Sequence, residues 1–147
     1  MKEVILLGGL ALLAWNDVRK QIISNKVLKW MLVFRVLLLF AEIILRPQER
    51  FELMIYSILG TIAGIVPMII CYTSSPKRIG AGDVKLIAVV GLYVGIASIF
   101  ETIFYSCLYV IAYLIGIRCI KWKRMQNELP FAPFVLLGTI TALLSVP

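Results

Sequence analysis

The chain has 147 residues, enough for one domain. Of these, 61% are apolar without counting glycine, against about 45–50% with glycine counted in an ordinary soluble domain. Charged residues make up only 16% and the mean hydropathy is +0.97; a globule this small cannot hide so much apolar surface from water. A soluble domain is excluded, and an integral membrane protein is expected. The chain has no His, which excludes Ser-His and Cys-His nucleophile pairs, His-Glu-x-x-His zinc helices and His-ligated haem. Cys71, Cys107 and Cys119 form no Cys-x-x-Cys pair; they read as small apolar fillers inside a helix bundle, with no zinc site or disulfide framework.

Apolar runs of bilayer-crossing character, about 20 residues each, predict an all-α membrane bundle of about six helices, a single membrane-embedded domain over residues 1–147. The spans run from Val4 to Trp15, Val27 to Leu45, Leu53 to Tyr72, Val84 to Phe100, Thr102 to Ile120 and Phe131 to Val146. The first is short enough for a signal peptide. However, Lys2 and Glu3 cancel in charge and no small-x-small cleavage pattern precedes Asn16-Asp17, so it reads as a retained span. The connections are too short for an extramembrane domain, which leaves helix ends and loops to carry any chemistry.

The cations set an expected orientation. Arg19, Lys20, Lys26 and Lys29 follow the first span, Lys77, Arg78 and Lys85 flank the third loop, and Arg118, Lys121, Lys123 and Arg124 flank the fifth. These are 11 of the 15 Lys and Arg; the positive-inside rule places that side in the cytoplasm and both termini outside. The same distribution accounts for the net charge of +7 without a nucleic-acid surface, which would need clustered cations on a folded face. Anionic lipid headgroups are the expected partners of this basic side.

The only two aspartates, Asp17 and Asp83, both fall on that side, although they are 66 positions apart. Asp17 ends the first span and Asp83 opens the fourth. Asp83 lies in Gly80-Ala81-Gly82-Asp83-Val84-Lys85, which reads either as a glycine turn with an Asp capping a helix or as an active-site loop. Asp17 lies in Asp17-Val18-Arg19-Lys20-Gln21-Ile22-Ile23-Ser24-Asn25, which reads alone as a charged loop with Ser24 or Asn25 capping the next helix. Leu129-Pro130-Phe131-Ala132-Pro133-Phe134 opens the last span with a proline-marked helix start.

Together and in this order, the three segments resemble the type IV prepilin peptidase family, membrane aspartyl proteases of the Gly-x-Gly-Asp type. The resemblance covers about residues 4 to 146. It implies that Asp17 and Asp83 are the catalytic pair and that Gly80, Gly82 and Lys85 belong to the active-site loop. It also implies a prepilin or pseudopilin substrate whose leader is cut at the cytoplasmic face of a bacterial membrane. The family's Ile-Pro-Asn is here Ile23-Ser24-Asn25. The paired Cys-x-x-Cys insertion of bifunctional members is missing from the first loop, so neither methyl transfer nor any cofactor is expected.

Two neighbouring carboxyls cannot both ionise cheaply, so one keeps a proton while the other takes one from water. The alternative is a small proton-coupled transporter with both aspartates as relay groups and Arg35 with Glu42 lining a path. Relay groups usually sit deeper, inside the bundle. Arg35 lies roughly 13 Å along the second helix from Lys26, and Glu42 is on the same face about two turns on; the pair reads equally as functional or structural. Gly60-x-x-x-Gly64 and Gly91-x-x-x-Gly95 predict close packing of the third and fourth helices, and Pro67 falls inside the third.

Overall fold

Each predicted span repeats apolar side chains at helical spacing, and in the computed structural model each is helical. Residues 2–45, 48–74, 80–119 and 129–145 are described. They form α1 (Lys2–Lys20), α2 (Asn25–Leu45), α3 (Arg50–Ser74), α4 (Ala81–Cys119) and α5 (Ala132–Ser145), with no strand among them. Helix α1 runs past the expected end at Trp15 and stops at Gln21, whose left-handed φ of 52° turns the chain while its N–H bonds the Asp17 carbonyl at 2.8 Å. Residues 21–24 then lead straight into α2, whose first-turn bond runs from the Leu28 N–H to the Ser24 carbonyl. Ser24 therefore holds the capping position foreseen for it.

The fourth and fifth expected spans both fall within α4, which consists of two helical stretches that meet at a kink. The break falls at Gly95 (φ 78°, ψ −178°) and not near Glu101. A φ of this sign is open to glycine and costly for other residues, whereas Glu101 sits exposed in continuous helix. The expected span ends at Ile120 and Val146, and the cations Lys77, Arg78, Lys121, Lys123 and Arg124, lie outside the described residues.

Helix α4 is the hub and packs against all four of the others; α1 also meets α2 and α5, and α2 meets α3. The crossing of α3 with α4 is backbone on backbone. A Cβ on Gly91 would collide with the Gly60 carbonyl oxygen, and one on Gly60 would meet the Gly95 backbone at 2.5 Å. Small residues thus bring the two helices together, as dispersion-driven packing in lipid requires. The shared core joins Leu6, Leu10 and Leu13 of α1 to Leu86, Ile87 and Val90 of α4 and Val135 of α5.

The outer surface stays apolar. Ile44, Leu45 and Leu144 are 77–80% exposed, and α3 and α4 are each long and apolar enough to cross a membrane. This is the surface of an integral membrane protein. Cys71 and Cys107 are exposed on it and free, which corrects their reading as interior fillers.

Because the Gly60–Gly91 contact is between main chains, no side chain can move to relieve an added methyl. Gly91→Ala should destabilise the protein by about 2 kcal/mol, the middle of the range for overpacking. Gly116→Ala, where nothing lies within 4 Å of the new Cβ, should leave it unchanged. Thermal unfolding in detergent checks both.

Candidate active site

Helical periodicity puts both aspartates on buried faces. The inward stripe of α1 reads Leu6, Leu10, Leu13, Ala14, and its next member is Asp17, only 5% exposed. On α4 the stripe Leu86, Ile87, Val90 continues back one turn to Asp83, which is partly buried. The C-terminus of α1 and the N-termini of α2, α4 and α5 converge at this end of the bundle. Ala132 at the start of α5 donates its N–H to Asp17 Oδ2 at 2.9 Å. Ile23, just before α2, lies against Gly82 of α4.

The proline segment acquires a purpose here. Pro130 and Pro133 have no N–H, so the segment's free amides are those of Phe131 and Ala132, and both act on Asp17. First-turn N–H groups lack helical partners and favour an anion. Burial pushes the Asp17 carboxyl above its usual value of 3.8, and these two amides pull it part of the way back.

Asp83 stands at the third position of α4, not at the cap, a correction to its reading as a capping Asp. Gly80 holds the cap, and its N–H donates to Asp83 Oδ2 at 3.1 Å while the Asp83 N–H bonds the Gly80 carbonyl at 3.0 Å. The carboxylate thus supplies one half of a capping box, the other half being closed to a glycine, which has no side chain. Asp83 precedes the apolar run that begins at Val84. Burial, with a smaller push from the negative charge of Asp17, raises its carboxyl to about 6 against the pull of the Gly80 amide. The two acids therefore sense each other.

The other expected loop residues differ in place. Neither Gly80 nor Gly82 has a positive φ, so neither is required for a special backbone conformation. Gly82 serves a close approach instead: a Cβ there would come within 3.1 Å of Ile23. Gly80 is exposed, and a Cβ would meet only Asp83 Oδ2 at 3.4 Å. Lys85 is exposed and reaches Asn25 Oδ1 at 3.5 Å, pointing to α2 and not to the carboxyls. Sequence reasoning did not select Asn25, Ile23, Phe131 or Ala132 for the site. The signal for the last two was the pair of prolines bracketing two amides. Arg19, Lys20, Lys26, Lys29 and Lys85 are exposed around this end.

The architecture defines a helical membrane protein with two aspartates at the end of the bundle where four helix ends meet. A profile described as the type IV leader peptidase family matches residues 4–115, and the chain belongs to that family. It is 29% identical over 143 residues to a prepilin leader peptidase/N-methyltransferase of Bacillus subtilis (strain 168). The match takes in 96% of this chain but 54% of that relative, so the chain spans about half its length. No solved structure matches the chain.

The raised Asp83 pKa has a signed consequence. Between 3.8 and about 6 the folded protein binds more protons than the unfolded chain, so stability is lost as pH rises through that window. Asp83→Asn cannot ionise and keeps an oxygen for the Gly80 N–H. It should melt higher than the parent protein at pH 8, with the excess disappearing at pH 4; differential scanning in detergent at both values measures it.

Proposed function

We propose that this protein is an aspartic endopeptidase that removes short leaders from single-span membrane proteins of the prepilin or pseudopilin kind, with Asp17 and Asp83 as its catalytic pair. The observation that carries the reading is that the chain's two aspartates, 66 positions apart, share one end of the bundle, Asp17 against the start of α5 and Asp83 in the first turn of α4. Family membership and the similarity to a prepilin leader peptidase support the reaction class.

The two environments suggest a division of labour. Two amides from the start of α5 favour the charged form of Asp17, whereas Asp83 has one. Asp17 then takes a proton from water as its oxygen attacks the peptide carbonyl carbon. Asp83 gives its proton to the carbonyl oxygen as charge develops there. When the tetrahedral diol collapses, the C–N bond breaks, Asp17 passes its proton to the leaving amine, and the diol returns one to Asp83. No metal or cofactor enters this cycle.

In this reading the acid-pair end faces the cytoplasm and both termini lie outside, in the cytoplasmic membrane of a bacterium; the cations exposed around that end support it through the positive-inside rule. A leader cut there would lie at the lipid headgroups. The same cations repel a basic leader and hold anionic lipid instead, so recognition rests on the substrate's apolar helix and on Gly80, exposed and without a side chain to block a close approach. With only residues 21–24 joining α1 to α2 and no Cys among them, we assign this chain peptide hydrolysis without methyl transfer. The transporter alternative loses its path, because Arg35 and Glu42 pair with each other at 3.1 Å.

Asp17→Asn and Asp83→Asn, made singly, should each abolish leader removal from a co-expressed single-span substrate with a Gly-ended leader, while the protein still inserts. A gel shift of the substrate reads the result. Full cleavage by either variant refutes the pair. In the purified protein, kcat/KM should fall as pH rises above about 6, where Asp83 gives up its proton.

A further inference from the structure

The largest buried side chain among the described residues lies away from the acid pair. Arg35 is 2% exposed, midway along α2. Its Nε donates to the Leu92 carbonyl at 3.0 Å, Nη1 pairs with Glu42 at 3.1 Å, and Nη2 donates to Ser57 Oγ at 3.1 Å. One guanidinium thus ties α2 to α3 and α4. The Leu92 bond has a physical cause. In an unbroken helix that carbonyl would bond the N–H of Ile96, and the break at Gly95 interrupts the ladder between them. In lipid no water can satisfy a freed carbonyl, so a neighbouring helix must. The link is reciprocal: Tyr93, also 2% exposed, donates its O–H to the Met31 carbonyl of α2 at 2.7 Å. The Arg35 guanidinium stands 5.7 Å from the Tyr93 ring centre.

Few side chains of α2 are buried, and apart from this link its main support is α1, where Met31 lies against Gly9. Its buried residues are Leu28, Met31 and Arg35 alone. Both α2 and the first half of α4 start at the acid-pair end and run the same way. Arg35 is ten residues beyond Asn25 and Tyr93 ten beyond Asp83, about 15 Å along each helix. At the starts, Asn25 accepts from Lys85 and Ile23 lies on Gly82. A slip at the Arg35–Tyr93 level would therefore displace the 21–25 segment from Asp83 by the same amount.

We infer that Arg35 and Tyr93 form an intramembrane clamp that fixes the level of α2 against the first half of α4, and that both are positioning residues for Asp83. The assignment to catalysis rests on the reading of Asp17 and Asp83 as the reacting pair; the clamp itself does not. Lysine cannot replace the arginine, because a single ammonium lacks the planar fork that reaches three acceptors on three helices.

The test uses Arg35→Met, Arg35→Lys and Tyr93→Phe in the full-length protein, with two readouts. The first is cleavage of a purified single-span substrate with a Gly-ended leader. The second is the nitroxide–nitroxide distance by electron paramagnetic resonance between labels at Lys26 and Ala81, with Cys71, Cys107 and Cys119 replaced by Ala. Arg35→Met should lower kcat at least tenfold with KM within twofold and broaden the distance distribution. Arg35→Lys should not restore either, and Tyr93→Phe should fall between it and the parent. Should the arginine variants fail to fold, Tyr93→Phe, which removes one hydroxyl, decides alone. An unchanged distance overturns the clamp. A broadened distance with unchanged kcat per folded protein overturns the positioning role. If the parent protein itself cleaves nothing, the peptidase reading fails, and the distance still decides the clamp.

Discussion

A carboxylate removed from water must find hydrogen-bond donors, and the rest of this structure is arranged so that Asp17 does. At 5% exposure an ionised acid without partners would cost several kcal/mol. The donors come from the far end of the sequence, where the Phe131 and Ala132 amides at the start of α5 meet the end of α1. That single bond brings together residues 115 positions apart and fixes which helix ends share a level. Asp83 has a smaller set, its own capping glycine, and burial, the largest influence on it, keeps its proton on up to about pH 6. The donors differ between the two acids because a different helix terminus faces each side chain.

The position of α4 determines how that end is assembled. Glycines at 60 and 91 bring main chain against main chain at the α3 crossing, and the left-handed glycine at 95 lets the helix change direction just beyond it. Such a break in lipid leaves main-chain groups that only protein can satisfy. Arg35 meets that need from α2, and its own charge is met by Glu42. A buried cation, a helix break and a close crossing therefore form one dependent set.

Much of this was legible in the sequence, and the parts that were not have a common cause. Composition shows the membrane class, apolar periodicity shows the helices, and the spacing of small residues shows the α3–α4 contact. Asp17 and Asp83 stand out because the chain has no other aspartate. The break at Gly95 was not legible, because glycine occurs throughout membrane helices and its φ depends on the neighbour it meets. The service of Phe131 and Ala132 was hidden for another reason: it is performed by main-chain N–H groups, which side-chain identity does not reveal. Glu42 was visible as a neighbour of Arg35 on one helix face, whereas Ser57 and the Leu92 carbonyl belong to tertiary structure alone.

With two aspartates in the chain, selective carbon-13 labelling of aspartate γ-carboxyls yields two nuclear magnetic resonance signals, and their pH titration in micelles reports the pair directly. Coupled acids should titrate in two steps, the upper near pH 6, and that upper step should move down when Asp17 is replaced by Asn, with burial still holding it above 3.8. Two independent steps near 4, each unaffected by substitution of the other residue, would mean that the acids do not share a site.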